Sequence, residues 1–548
     1  MKVDKLHIRS RFKNLENVKV DFDEDHLMTV VVGRNGSGKS NVLEALVAIF
    51  RNLDLGEAPP FSYELVYRLG EPNKPNKPSE RWVEVTIDAD PSRGTIAKQY
   101  QVRVRDLLED NAPGDMFSEK PSGNVVPFSK VKRDKGGNAL YLPSYVFAYY
   151  SGPSDRLENH FKKHRNDFYG RLLNDELDLK GDIRPLFYAK PHHSQFVLLA
   201  FFLSEQDSAE KAFLREHLGI EGLDSIHFVM QQPGWAKKKG ELFWGARGVV
   251  RRFLDELIKY TLSPVKVKRR EDTSLTRSNI SKEFFHLFLP DVNALTEFAK
   301  DLCPDELFKM LESTLLSEII SEVSIRVKVA SSKDPLTFRE LSEGEQQLLT
   351  VLGLLKFTGG KDSLFLLDEP DTHLNPSWAV KYLQFLREFV PNHETSHLLM
   401  VTHHPLAIAE LKKQQVQVMW CDDDYKIHAK EPYIDPRGAG FMGTLTEIFG
   451  LNTTLDLETQ KTLDARNELV HIENRTEEQD TKLDLLNDEL NRLGFSFENR
   501  DPLYNEFLLA WQDLKYSEKP PLTPDKAVQR RAAMKKVIDA LKTKKVSE

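Results

Sequence analysis

The chain has 548 residues, a formal net charge of -8, 40% hydrophobic residues and 10% aromatic residues. That length predicts two to four domains around an ample core, and the acidic balance excludes a globally basic nucleic-acid-binding protein, so any such surface must be local. Cys303 and Cys421 lie far apart with no C-x-x-C, which excludes a zinc ribbon and a disulfide framework.

The start, Met1-Lys2-Val3-Asp4-Lys5, is charged and has no apolar signal region. Short strand-like runs follow: Lys5 to Ile8, Val18 to Val20, and Met28-Thr29-Val30-Val31-Val32. The last is continuous and β-branched, as a strand buried on both faces is. It leads straight into Gly33-Arg34-Asn35-Gly36-Ser37-Gly38-Lys39-Ser40, and Leu43, Leu46, Val47 and Phe50 then recur at helical spacing. A Gly-x4-Gly-Lys-Ser loop between strand and helix is a phosphate-binding loop, not merely a glycine-rich turn. Its glycines let successive N–H groups face the phosphates, and the helix start adds partial positive charge. Lys39 is expected to reach the β- and γ-phosphates of ATP, and the Ser40 hydroxyl to bind Mg2+.

Residues 62 to 105 alternate in the manner of β-hairpins, with Pro72, Pro75 and Pro78 between the first two strands. Residues 108 to 138 are polar and glycine-rich and predict a mobile loop. Tyr145 to Tyr150 reads as a buried strand ending at Ser151-Gly152-Pro153. From 155 to about 320 the pattern is mostly helical. The longest strong apolar run, Phe196 to Leu203, is eight residues, well short of the ~20 that span a bilayer. A cytoplasmic protein without a membrane partner is expected. Basic clusters at Lys130 to Lys135, Lys237-Lys238-Lys239, Arg251-Arg252 and Lys266 to Arg270 read as solvated faces, with a phosphate-contacting surface as the sharper alternative.

Ile325 to Val329 returns to a strand before Leu341-Ser342-Glu343-Gly344-Glu345-Gln346-Gln347. Ser342 and Glu345 make a capping box for a helix running to about Phe357 and stopped by Gly359-Gly360. A cap does not need Gly344, whose missing side chain allows a ligand or another backbone to approach. A second anion site is therefore expected at this helix start. Ser363 to Leu367 is again all apolar and ends in Asp368-Glu369, where parallel sheets bind ligand. Asp368 would hold Mg2+, and Glu369 would polarise the attacking water. After the strand Leu398 to Thr402, His403 is the candidate for the γ-phosphate, with His404 as its competitor.

Together these residues resemble the ABC-type ATPase family in its SMC/RecF/OLD branch. The motifs cover residues 1 to 50 and 335 to 410, with Asn41 after Lys39-Ser40 also typical of that branch. The resemblance implies an α/β fold, an ABC-type P-loop ATPase head with a mixed sheet flanked by helices. It also implies a head dimer, or a higher oligomer, holding two ATPs between subunits. Gly33 to Asn41 of one head would face Ser342, Glu343, Gly344 and Glu345 of the other. Glu343 and Glu345 depart from the Gly and Gln common there, and two added carboxylates beside a triphosphate would condition closure. The family's glutamine-loop residue is not placed.

The layout narrows the resemblance to the PtuA ATPases of Septu anti-phage systems, relatives of which accompany retrons. Tyr149-Tyr150-Ser151-Gly152 and Gly438 to Thr444 with Phe449-Gly450-Leu451 carry it. That family pairs its ATPase with a separate HNH nuclease. The expected parts are the N-terminal half of the head with a β-hairpin lobe (1–154), a mainly helical insertion (155–322), the C-terminal half of the head (323–430) and a helical partner-docking region (431–548). In the last, Leu483, Leu486, Leu490 and Leu493 form a short coiled-coil-like stripe. Phe507, Leu508 and Trp511 suggest another packed helix, and Pro520-Pro521 precede a basic helix from Lys526 to Lys545. Packing on the chain's own head is the plain alternative to docking. Cys421-Asp422-Asp423-Asp424 reads as a turn and residues 425 to 548 as helices, so no Toprim or other nuclease is expected within the chain. The expected function is an ATP-driven switch over a separate nuclease. The alternative is a repair or chromosome-structure ATPase that clamps DNA directly, with DNA or another nucleic acid left open as a partner. The long insertion and Asn41 argue against a transporter subunit.

Overall fold

The strand Met28–Gly33 is buried along its whole length, which requires cover on both faces. In this computed structural model it lies parallel to Ser396–Val401, which pairs with Ser363–Asp368, then Tyr145–Tyr150, then Leu186–Tyr188. The first four are mostly apolar and nearly all buried, with Thr29, Ser363, Asp368, Ser396 and His397 as their buried polar members, so hydrophobic burial on both faces fixes the sheet. Its register aligns Asp368 with Val401 on one side and Tyr150 on the other. Ring stacking between Phe147 and Phe365 at 5.3 Å ties neighbouring strands.

The structure describes all residues except 74–77, 109–122, 135–138, 174–183, 237–240, 273–278, 452, 454, 473–474, 494–534 and 537–548. Lys237-Lys238-Lys239, the helix expected at Phe507, Leu508 and Trp511, Pro520-Pro521, and all of Lys526 to Lys545 but Lys535 and Lys536 lie outside the described residues. By its contacts the chain divides into two units, Met1–Val31 with Gly38–Ala407, and Val32–Ser37 with Ile408–Glu548.

In the first unit a second, antiparallel sheet runs in the order Val18–Asp21, Lys2–Ile8, Tyr63–Gly70, Trp82–Ala89, Tyr100–Asp106, Asn124–Val126. Tyr63–Gly70 alternates strictly between buried and half-buried positions, the mark of a sheet with one covered face. The loop expected over 108 to 138 is corrected in part. Asn124–Val126 is a strand and Phe128 stacks on Tyr100 at 4.3 Å.

The mainly helical insertion also needs correction. Helices Arg156–Leu173, His193–Leu203 and Pro304–Leu316 are present, but so is a five-stranded antiparallel sheet. Its order is Leu262–Asp272, Asn279–Leu289, Ile220–Gln231, Ile320–Val329, Leu336–Thr337. Val265 and Val267 alternate with Lys266 and Lys268 at period two, not 3.6, so the basic run Lys266 to Arg270 is edge strand. Lys266 and Lys268 pair with Glu283 across the strand, at 2.7 and 3.5 Å. Elsewhere, Arg251 pairs with Asp255 at 2.7 Å and Arg133 with Asp54 at 2.6 Å.

In the second unit Val416–Cys421 and Ile427–Lys430 form an antiparallel pair, so residues 427 to 430 are strand where helix was expected. The acids between them make the turn: Asp422 Oδ1 accepts the Asp424 and Lys426 N–H groups. Helices Leu457–Val470 and Glu477–Arg492 follow. Of the leucine stripe, Leu490 is buried, Leu483 and Leu486 are half-buried and Leu493 is exposed. Arg466 bridges the two helices through Asn487 at 3.1 Å. No helix among the described residues is long and apolar enough to cross a membrane.

Candidate active site

The chain passes from Met28–Gly33 through Arg34, Asn35, Gly36 and Ser37 into the helix Lys39–Leu55. Gly38 is the N-cap, at φ +86°, a left-handed conformation that side chains other than glycine's disfavour. It offers no side-chain cap, and the first turn holds no acidic residue. The helix's first N–H groups are thereby available to an anion. Ser37 Oγ is buried and has no hydrogen-bond partner among the described residues. Asn35 and Gly36 are exposed, Arg34 Nη2 donates to the Gly450 carbonyl at 2.8 Å, and Asn41 Nδ2 donates to Asn14 Oδ1 at 2.6 Å.

The strand Ser363–Asp368 delivers Asp368, fully buried, to the end of the sheet. Its Oδ1 accepts from Ser40 Oγ at 2.9 Å and its Oδ2 from Arg156 Nη2 at 3.0 Å. Burial pushes the Asp368 carboxyl up to about 6, against the pull of Ser40 and Arg156. Burial likewise lowers the Lys39 ammonium to about 8, against the attraction of Glu369 and Asp368. Glu369 sits at φ +52°, a strained conformation for a non-glycine residue that costs about 1–3 kcal/mol. Its N–H is held by the Val401 carbonyl at 2.9 Å, and its carbonyl accepts from Thr372 Oγ1 at 2.8 Å.

Of the two histidines, His403 meets the site: its Nε2 lies 3.2 Å from Glu369 Oε1. Burial and Lys39 lower its pKa, opposed by Glu369, which favours a neutral ring. His404 is tied to its own loop, where its N–H donates to Thr402 Oγ1 at 2.9 Å and its Nδ1 accepts from Leu406 N–H at 3.3 Å. A lysine, a serine hydroxyl and two adjacent carboxylates supply the hard oxygen donors and the cation that Mg2+ and a triphosphate need. A buried carboxylate already raised by desolvation gains most from a cation, so the residues fit the pair.

Ser342 caps the helix Glu343–Thr358 through the reciprocal box. Glu345 Oε2 accepts from Ser342 N–H at 2.6 Å and from Ser342 Oγ at 2.7 Å. Glu345 is thus occupied by the cap, while Glu343 approaches His373 Nδ1 at 3.3 Å. Gly344 has a reason inside its own chain: a Cβ there would meet the His373 carbonyl oxygen at 2.5 Å. Gly344→Ala is expected to cost about 1–3 kcal/mol, as overpacking does. The check is a thermal melt, and an unchanged Tm would show that this approach is slack.

Two residues near the site were assigned no role from the sequence. Arg156 reaches Asp368 from the start of its helix. Gln347, one turn into the signature helix, accepts from His373 N–H at 3.2 Å and donates to the Glu369 carbonyl at 3.4 Å. It holds Ser342-Glu343-Gly344 in register with Asp368-Glu369.

Two family models match the chain: "AAA ATPase domain" over residues 1–113 and "AAA domain, putative AbiEii toxin, Type IV TA system" over residues 254–409. Among curated proteins, the Septu protein PtuA of Bacillus thuringiensis is 24% identical over 215 residues, covering 34% of this chain and 53% of that protein. The Septu protein PtuA of Bacillus mycoides (strain KBAB4) is 23% identical over 188 residues, covering 32% and 26%. The chain thus spans about half of the first relative's length and a quarter of the second's. Among solved structures, an SMC head bound to the C-winged helix domain of ScpA is 12% identical with a TM-score of 0.31, covering 79% of this chain and 98% of that one. The SMC head domain from Thermotoga maritima is 13% identical with a TM-score of 0.30, covering 79% and 99%. Likenesses at that level carry no argument, and the fold rests on the strand order itself. With its phosphate loop, capped helix at Ser342 and paired carboxylates, the chain carries matches to AAA-type ATPase domain models and resembles SMC/RecF/OLD-like ABC-type ATPase heads and the Septu PtuA proteins.

Proposed function

We propose that the chain hydrolyses ATP in head dimers, or in a higher oligomer, and so switches a separate HNH-type nuclease in cytoplasmic anti-phage defence. What supports the reading most is the pairing of two adjacent carboxylates, the buried Asp368 held by Ser40 and Arg156 and its neighbour Glu369 met by His403. Lys39 would face the β- and γ-phosphates. Ser40 and Asp368 would hold Mg2+, whose charge offsets that of the triphosphate. Glu369 would orient a water and take its proton as the oxygen attacks the γ-phosphorus and the bond to the β-phosphate oxygen breaks. His403 would fix the Glu369 carboxylate. Ser342 and Gly344 of a second copy would close over the nucleotide, and that closure is the signal the nuclease reads. The resemblance to the Septu PtuA proteins supports the defence role, the nuclease partner is what the family resemblance in the sequence implies, and a retron nucleic acid is a further candidate input.

Lys39→Ala is expected to weaken binding of a fluorescent ATP analogue by about 100-fold, the loss of one strong charged contact. Native affinity in that variant would remove Lys39 from the site. The deciding experiment is capture of the Glu369→Gln protein with ATP and Mg2+ from cells carrying its neighbouring genes. A co-purifying HNH protein supports the switch. A bare dimer, or one bound to DNA, overturns the nuclease partner in favour of a direct clamp.

A further inference from the structure

Both oxygens of the Asp368 carboxylate are engaged, Oδ1 by the Ser40 hydroxyl and Oδ2 by the Arg156 guanidinium. Arg156 is held there from two sides. Its Cζ lies 5.1 Å from the ring centre of Tyr150, the residue paired in register with Asp368 on the neighbouring strand. Its N–H lies 3.3 Å from Ser154 Oγ at the start of the helix Arg156–Leu173. That helix is in turn bound to the phosphate-loop helix Lys39–Leu55 and its end by polar contacts. His160 Nε2 meets Glu44 Oε1 at 3.3 Å, Lys163 Nζ meets Glu57 Oε1 at 2.8 Å, and His164 Nε2 meets Asp54 Oδ2 at 2.8 Å. A cation fixed on the carboxylate through a rigid helix competes with any other cation that needs the same oxygen.

We propose that Arg156 is a gate on metal entry, a guanidinium that Mg2+ must displace from Asp368, so that nucleotide loading is transmitted to the helix Arg156–Leu173. The proposal rests on the ATPase reading of the site and adds a positioning residue to it. Displacement frees the first turn of the helix while His160, Lys163 and His164 keep its body on Lys39–Leu55. The insertion that begins at this helix thereby receives the state of the site through a named contact.

The test is titration of Mg2+ against binding of a fluorescent ATP analogue, in native protein, Arg156→Gln and Arg156→Lys. Removing the competitor is expected to lower the Mg2+ concentration for half-maximal binding about tenfold in Arg156→Gln, the ordinary worth of a charged hydrogen bond. Arg156→Lys, which keeps the charge, is expected to stay near native. An unchanged or higher midpoint in Arg156→Gln overturns the gate. A purely structural role for Arg156 would lower Tm without moving that midpoint. Hydrogen exchange of native protein gives a second reading independent of any variant. Mg2+ with ATP is expected to speed exchange in the turn after Arg156, and slower or equal exchange there overturns the proposal. If the native protein binds no nucleotide at all, the ATPase reading fails instead.

Discussion

Glu369→Gln is expected to cut ATP turnover about 100- to 10,000-fold, the usual worth of a positioned general base, while leaving nucleotide affinity close to native. Lys39, Ser40 and Asp368 do the binding in this reading, and an amide keeps the size and one oxygen of the Glu369 side chain. What it loses is the capacity to take a proton from water. It also inverts part of the bond to His403, 3.2 Å away, since the amide N–H2 donates where the carboxylate only accepted. Bound ATP should then persist and dimers accumulate. The measurements are phosphate release under saturating ATP and size-exclusion mass with ATP and Mg2+. Turnover within threefold of native would remove Glu369 from the chemistry. Lost turnover with lost ATP binding would mean that the strained backbone at φ +52°, not the carboxylate, was disturbed.

What was legible in the sequence was local. The phosphate loop is written in adjacent residues because backbone conformation there needs glycine at fixed offsets, and the cap at Ser342 needs only its partner three residues on. Uninterrupted apolar runs predicted Ser363–Asp368 and Ser396–Val401 within two residues of their ends. What was not legible depends on contacts between distant segments. Arg156 and Asp368 are separated by 212 residues, and nothing near Arg156 announces a partner. The reason for Gly344 is the carbonyl of His373, on a different loop. The edge strand Leu262–Asp272 did carry its alternation, Val265 and Val267 against Lys266 and Lys268. Charge density there drew the reading toward a solvated helical face, and only pairing with Asn279–Leu289 makes a strand of it.

Glu312→Ala is expected to destabilise the first unit by about 3–5 kcal/mol, because it leaves a buried cation without its counter-charge. Glu312, Arg184 and His193 are each at most 6% exposed at the side chain. Arg184 Nη2 donates to Glu312 Oε1 at 2.8 Å, and its guanidinium lies between the rings of Phe187 and Phe168, 4.6 and 5.6 Å away. His193 Nδ1 accepts the Lys190 N–H at 2.9 Å, so its Nε2 carries the proton that Glu312 Oε2 receives at 2.7 Å. Burial alone would push the Glu312 carboxyl up, but His193 and Arg184 outweigh it and hold the group well below its ordinary value of 4.5. A carboxyl depressed in the folded state binds fewer protons there than in the unfolded chain. Its contribution is therefore full above about pH 4.5 and is lost as pH falls from there through the folded-state value. The difference between native protein and Glu312→Ala in urea unfolding should accordingly be largest near neutral pH and shrink below about pH 4.5. A difference under about 1 kcal/mol at pH 7 would mean that water or a rearranged side chain satisfies Arg184, and a difference that grows on acidification would reverse the sign of the linkage. The three residues join the helices His193–Leu203 and Pro304–Leu316, and His193–Leu203 in turn packs on the signature helix Glu343–Thr358. Loss of Glu312 should for that reason loosen the support beneath Ser342 as well as lower the melting point.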